Sequence, residues 1–505
     1  MTWFGLFPAE DFDIVDGAAA AGDVAPQARW YFGGETLALP QAGRLVAGYD
    51  RRRRWLADLD DWRQRTAVGG ERAYPPLLWL GAPDVLSHAT LAADGQSLTT
   101  AEGQRLPARL APRLPLNRSW FDHRSLAFFT GQPLTLRGTR TADGFIIRTF
   151  WPERFALPEL AATRVMAAEA AALSDWIRSA DATTPFTVES LWRRPDAPAQ
   201  AAGQPVLGLI LNGAQGDDDE AHSGHFAVLT GRIGAAGAMA DWLVNNFYAL
   251  DVESEKGIFA APTPLANYFA DMNSGQAWYR PSWLLLVRLA DERTAMHAQA
   301  ALGRAYQHFY RQRFAYHHAR ANCVGISVSA LAGAGWQTPR QGGENWPLAL
   351  LGLPWLIARE RSVSRGKALF DYLTEEQSRL YPAVAFCQLG ADLLRLAQGQ
   401  CRRPLSAFEQ LLAADAVEIL RLRLPQFPSS RAAGNWPVAS SAEYLARAPK
   451  DHAQWQTVPL PPRPLPPELR DRQTPRQPPL RSDWALAAWL ALLLTAALAV
   501  LLRLL

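Results

Sequence analysis

Nine prolines fall between Pro459 and Pro479, with Arg and Gln among them, and they limit what the chain around them can become. A proline has no backbone N–H and a fixed φ, so this stretch can be neither a helix nor a central strand. The packed body is expected to lie before it, and residues 451–483 read as a semi-extended stalk. Beyond the stalk, every residue from Trp484 to Leu502 is apolar except Thr495. At about 1.5 Å per residue that run matches a hydrocarbon core of about 30 Å, which predicts one C-terminal transmembrane helix over 484–502. Arg463, Arg470, Arg472, Arg476 and Arg481 precede the run and only Arg503 follows it, so the body is expected on the cytoplasmic side of the cell inner membrane. The first residues, Met1-Thr2-Trp3-Phe4, have no basic start and no sustained apolar core, so no export signal is read there.

The chain has 505 residues, 49% of them hydrophobic, which gives room for two or three domains with cores of their own. Its net charge of +3 is small for the length, and no basic face is interleaved with aromatics, so nucleic acid is not an expected partner. Cysteine occurs only at Cys323, Cys387 and Cys401, without a Cys-x-x-Cys pair. Neither a disulfide framework nor a thiolate zinc site is indicated, and no cofactor is implied.

Residues 1–155 read as a β-rich region with a hairpin formed by Leu134-Thr135-Leu136-Arg137 and the run Phe145–Phe150. The charged stretch from Arg51 to Arg65 reads as a solvated helix. Residues 156–345 open on a connecting helix from Leu157 to about Ser179, followed by strands at Pro185–Val188 and Val206–Leu211 and an acidic loop, Gly216 to Glu220. The run starting at His225 and the run Trp242–Tyr248 flank Gly234-Ala235-Ala236-Gly237 as a hairpin. An apolar strand over Trp283–Leu289 and a helix from about Asp291 to Tyr316 come next. Residues 346–450 read as helical, with apolar spacings of three and four at Pro347–Arg359, Gly366–Leu373, Ala383–Ala397 and Ala407–Arg421.

The chemistry concentrates at Cys323 and His225. Asn322 can cap the helix that starts at Cys323, and the free N–H groups of a first turn favour a thiolate and can hold an oxyanion. A lowered thiol pKa is therefore expected there. A turn centred between Gly234 and Gly237 pairs residues whose numbers sum to about 471, which sets His225 opposite Asn246 and turns Asn245 to the other face. Asn246 could then fix the imidazole tautomer, leaving the second ring nitrogen to take the thiol proton.

With Gly224-His225-Phe226, Asn246-Phe247, Tyr279-Arg280, Tyr310, Tyr316 and Asn322-Cys323 in this order, residues 207–336 resemble the circularly permuted papain-like thiol hydrolases, a group that includes lecithin:retinol acyltransferase and permuted relatives of NlpC peptidases. Within that group the pattern is similar to the Lnb N-terminal periplasmic domain family, a bacterial family. The resemblance implies a nucleophile at Cys323, a base at His225 and a third member at Asn246.

The expected fold class is α+β: a permuted papain-like thiol hydrolase core with a β-rich N-terminal region, a helical C-terminal region and the membrane helix. The expected function is a membrane-anchored cysteine-dependent hydrolase or acyltransferase for an amide, ester or thioester, its donor a membrane lipid or envelope component reached laterally. Two alternatives stand beside it, a catalytically silent scaffold on the same fold and a metal hydrolase using His222 and His225 with the acidic loop.

Overall fold

Two apolar runs, Pro205–Asn212 and Ser282–Leu289, are buried at every position and lie side by side in the middle of a seven-stranded sheet. The computed structural model describes residues 2–20, 25–160, 162–198, 201–254, 256–342 and 346–469, with 491, 492 and 495. The sheet order is Thr187–Arg193, Ala416–Leu424, Ser282–Leu289, Pro205–Asn212, His225–Arg232, Leu243–Asn245 and Pro262–Pro264. All neighbours are antiparallel.

Alternate residues of the central strands enter two different cores, which is why these strands read as continuous rather than alternating apolar runs. Leu207, Leu209, Leu211, Trp283 and Leu285 join helices Arg293–Tyr310, Cys323–Ala334 and Pro382–Ala397 on one face. Val206, Ile210, Leu284 and Leu286 join helix Leu265–Ala270 and Phe145, Ile147 and Phe150 on the other. Burying each such side chain stabilises the fold by about 2 kcal/mol relative to leaving it in water. Phe145, Ile147 and Phe150 belong to a closed five-stranded barrel ordered Gly144–Pro152, Arg105–Leu110, Ser97–Thr99, Asp84–Leu91 and Leu134–Thr141.

The architecture corrects the expected fold class. The protein is mixed α and β, with thirteen α-helices among the described residues, a closed barrel and a large sheet. Among those residues no helix is long and apolar enough to cross a membrane. The single C-terminal anchor expected over 484–502 is therefore not supported, and most of that run lies outside the described residues. Placement in the inner membrane with a cytoplasmic body rested on that anchor and is corrected with it.

The region expected to be wholly helical contributes a strand to the sheet. Helix Ala407–Asp415 stops where Ala416–Leu424 begins, and that strand fits between Thr187–Arg193 and Ser282–Leu289. Its charged residues mimic the polar face of a helix, yet they are buried and matched. Arg421 donates to Glu189 at 2.7 Å, Arg423 lies 4.5 Å over the Trp283 ring, and Glu418 pairs with Arg288 at 3.0 Å.

Candidate active site

His225 opens its strand next to Gly224, which has a φ of +75° and approaches Asn212 so closely that a Cβ would stand 2.3 Å from the Asn212 carbonyl oxygen. Only glycine fits such a corner. Asn212 is the cross-strand partner of His225, donates to Ser282 Oγ at 2.8 Å and accepts from the Tyr268 hydroxyl. The end of the strand is thereby fixed by polar contacts inside the protein.

The hairpin differs in register from the expected one. Val228 faces Asn245, because the turn includes Ala235–Gly237 with Ala236 at φ +51°, and the ladder is centred one residue later. The pairs consequently shift by two, which preserves strand parity. Asn246, just past the last paired residue, meets His225 with Oδ1 2.7 Å from Nε2. Its Nδ2 donates to the Phe259 carbonyl at 2.8 Å. Since that carbonyl can only accept, the Asn246 amide orientation is fixed; Oδ1 faces the ring, Nε2 carries the proton, and Nδ1 keeps a lone pair. Asn245 turns away and exchanges hydrogen bonds with Gln299 at 2.9 and 3.0 Å.

Cys323 is the first residue of its helix. The Asn322 side chain accepts from Gly325 N–H at 2.8 Å and donates to the carbonyls of His318 and Leu380, so the helix start is capped and anchored on two sides. The Cys323 N–H donates to the Tyr316 hydroxyl at 3.3 Å. Around the sulfur are the backbone N–H groups of Phe226 and Val324, the Tyr316 hydroxyl and the positive charge of Arg280. Phe226 directly follows His225, so the thiol sits against the strand end that holds the imidazole.

Arg280 is 5% exposed, with its guanidinium held by Gln276 Oε1 at 2.9 and 2.6 Å and by the Gly213 carbonyl at 3.2 Å. Among the described residues no carboxylate forms an ion pair with it. A buried cation favours a negative charge placed beside it, and the field of Asp218 reaches Arg280 as well as that of Cys323.

Burial decides both proton states. It pushes the Cys323 thiol above its ordinary value, outweighing the two amides, the tyrosine and the arginine. The lowered thiol pKa expected from the helix start is corrected by this desolvation. Burial, with Arg280 adding to it, drives His225 down to about 3, against the opposing hydrogen bond that the ring donates to Asn246. The resting pair is thus neutral thiol and neutral imidazole. Cys387 is also raised by burial, to about 12.

The low His225 value makes a stability statement. The unfolded chain binds this proton near pH 6.5 while the folded one resists it down to about 3, so stability is lost as pH falls from 6.5 towards 3. His297, driven down to about 4 by burial, acts in the same direction. Between about pH 7.5 and pH 5 the His225 contribution to this loss is about 2 kcal/mol. Urea titrations should show His225→Gln losing less stability over that interval than the wild type, and equal losses would contradict the assignment.

The acidic loop is engaged in structural contacts. Asp217 pairs with Arg431 at 2.6 Å, Asp218 accepts from Glu220 N–H, and Asp219 lies 3.2 Å from His222 Nε2. His222 also stands edge-on to Tyr444, while His225 is bound to Asn246. Among the described residues no group of three His, Cys, Asp or Glu side chains is placed to hold a metal ion. His317 Nδ1 accepts from the N–H groups of Ala319 and Arg320, closing the turn before the Cys323 helix.

Sequence reasoning did not reach the roles of Asn212, the Phe259 carbonyl or the Phe226 amide, because nothing in their local patterns marks them. Arg280 and Tyr316 carried part of the family resemblance, although their place beside the sulfur was not readable. Comparison with known proteins gives no match, whether to a family, to a curated protein or to a solved structure.

Proposed function

We propose that the protein is a cysteine-dependent hydrolase or acyltransferase for an amide, ester or thioester, related to the permuted papain-like thiol hydrolases. The observation that carries this reading is the imidazole of His225, its tautomer set by Asn246, at the strand end against which the Cys323 thiol lies. In the reaction, Cys323 Sγ bonds to the substrate carbonyl carbon as its proton passes to His225 Nδ1. Collapse of the tetrahedral intermediate breaks the bond to the leaving group, which takes that proton. Water or another acceptor then attacks the acyl-cysteine with His225 again as base, and the thiol is restored. Because both groups are neutral at rest, proton transfer accompanies attack, and Arg280 supplies the charge that favours the developing anion.

The test is incubation with a panel of activated acyl esters and peptidyl electrophiles, followed by mass spectrometry of the modified peptide. Modification of Cys323 is expected, with none at Cys387. A second reading, a silent scaffold on the same fold, is favoured by the 4% exposure of Cys323; a chain that no probe modifies at this residue would support it.

A further inference from the structure

The proline-rich segment lies along the body as far as Leu469. Asp219 N–H donates to the Gln456 carbonyl, and Gln456 N–H donates back to Asp219 Oδ2, both at 2.8 Å. Farther on, Val252 pairs with Pro462, Glu253 N–H donates to Pro461 O at 2.9 Å, and Arg463 N–H donates to Asp251 O at 2.6 Å. The Arg463 side chain reaches the helix Ala25–Phe32, donating to Trp30 O at 2.6 Å with its guanidinium 4.6 Å from the Trp30 ring. Leu465 is buried.

The two loops held in this way flank the reactive pair. One contains Asp219 and leads into His225; the other contains residues 251–253 and follows Asn246. Beside the second loop, a cavity of about 270 Å³ is lined by Arg463, Glu253, Leu250 and Phe259, with Tyr31 and Arg148 on its far side. Phe259 is also the residue whose carbonyl holds Asn246. Cys323, His225 and Asn246 are 4%, 5% and 3% exposed, so a carbonyl substrate needs an opening that the closed form lacks.

We propose that residues 456–465 are a displaceable strap, an autoinhibitory contact that ties the two flanking loops together and so keeps Cys323 closed to substrate. The inference rests on the thiol hydrolase reading for its purpose, though not for its test. Prolines at 459, 461, 462 and 464 leave few N–H groups to anchor the segment and keep it extended when free, so it can lift and return without refolding.

The strap is loosened in the full-length chain by combining Gln456→Pro with Arg463→Pro, which removes both donated N–H groups and the Trp30 contact while keeping the extended conformation. Alkylation of Cys323 by iodoacetamide should become about tenfold faster, with Cys387 unchanged, because only the local opening is made easier. Conversely, Val252→Cys with Pro462→Cys, oxidised to a disulfide, should slow Cys323 labelling, and reduction should restore it. A Cys323 rate within about twofold of wild type in the proline variant, a rise shared by Cys387, or a cross-link without effect would overturn the strap. If labelling follows the strap while acyl probes never form a Cys323 adduct, the strap stands and the hydrolase reading fails.

Discussion

Cys323→Ser is expected to abolish acyl-enzyme formation and to lower turnover of any activated ester substrate by at least about 10³-fold, since a buried hydroxyl beside a neutral imidazole is a far weaker nucleophile than a thiol. His225→Ala should cost a similar factor, because the thiol then has nowhere to send its proton. Asn246→Ala should cost less, about tenfold to a hundredfold, as Asn246 acts by holding the ring through Nε2. Asn245→Ala leaves that ring untouched and should affect stability more than chemistry, since Asn245 belongs to the Gln299 network. The measurement is burst amplitude and turnover with an activated ester, alongside urea stability for each variant. Full activity in Cys323→Ser would end the nucleophile assignment.

Arg280→Gln is expected to move the pH midpoint of Cys323 alkylation upward by about one unit, because it removes the positive charge beside the sulfur. Arg280→Lys keeps the charge and should restore most of the shift, which separates electrostatics from the loss of the contacts to Gln276 and Gly213. The experiment is site-resolved labelling across pH in the folded protein. Superimposable profiles for wild type and the glutamine variant would show that Arg280 does not act on the thiol.

What could be read beforehand follows from which patterns are local. The proximity of His225 and Asn246 was legible from strand parity, and parity survives a two-residue shift. The register was not legible, because it depends on the positive φ of Ala236, a residue type that seldom takes that conformation. The helix starting at Cys323 was legible from its Asn322 cap and apolar content. Its thiol pKa was not, because desolvation is set by residues far away in sequence. Ala416–Arg421 looked helical because its apolar residues continue the spacing of three and four of the helix before it, and nothing local shows that Glu189 and Trp283 will bury Arg421 and Arg423. The proline run announced an extended chain but could not say what it would lie against.

The position of Ala416–Leu424 in the sheet also governs when the protein can assemble. Among the strands of the described residues, Thr187–Arg193 has only this one as a sheet neighbour, and Ser282–Leu289 has it as one of two, so this side of the sheet waits for a segment well over a hundred residues downstream. Such pairings close large loops before any contact rewards them, which makes folding slow and leaves strand edges open in the meantime. During synthesis the His225 hairpin and the Cys323 helix leave the ribosome before the sheet that supports them is complete. The nascent chain therefore carries its cysteine and histidine for a time without the environment that sets their protonation.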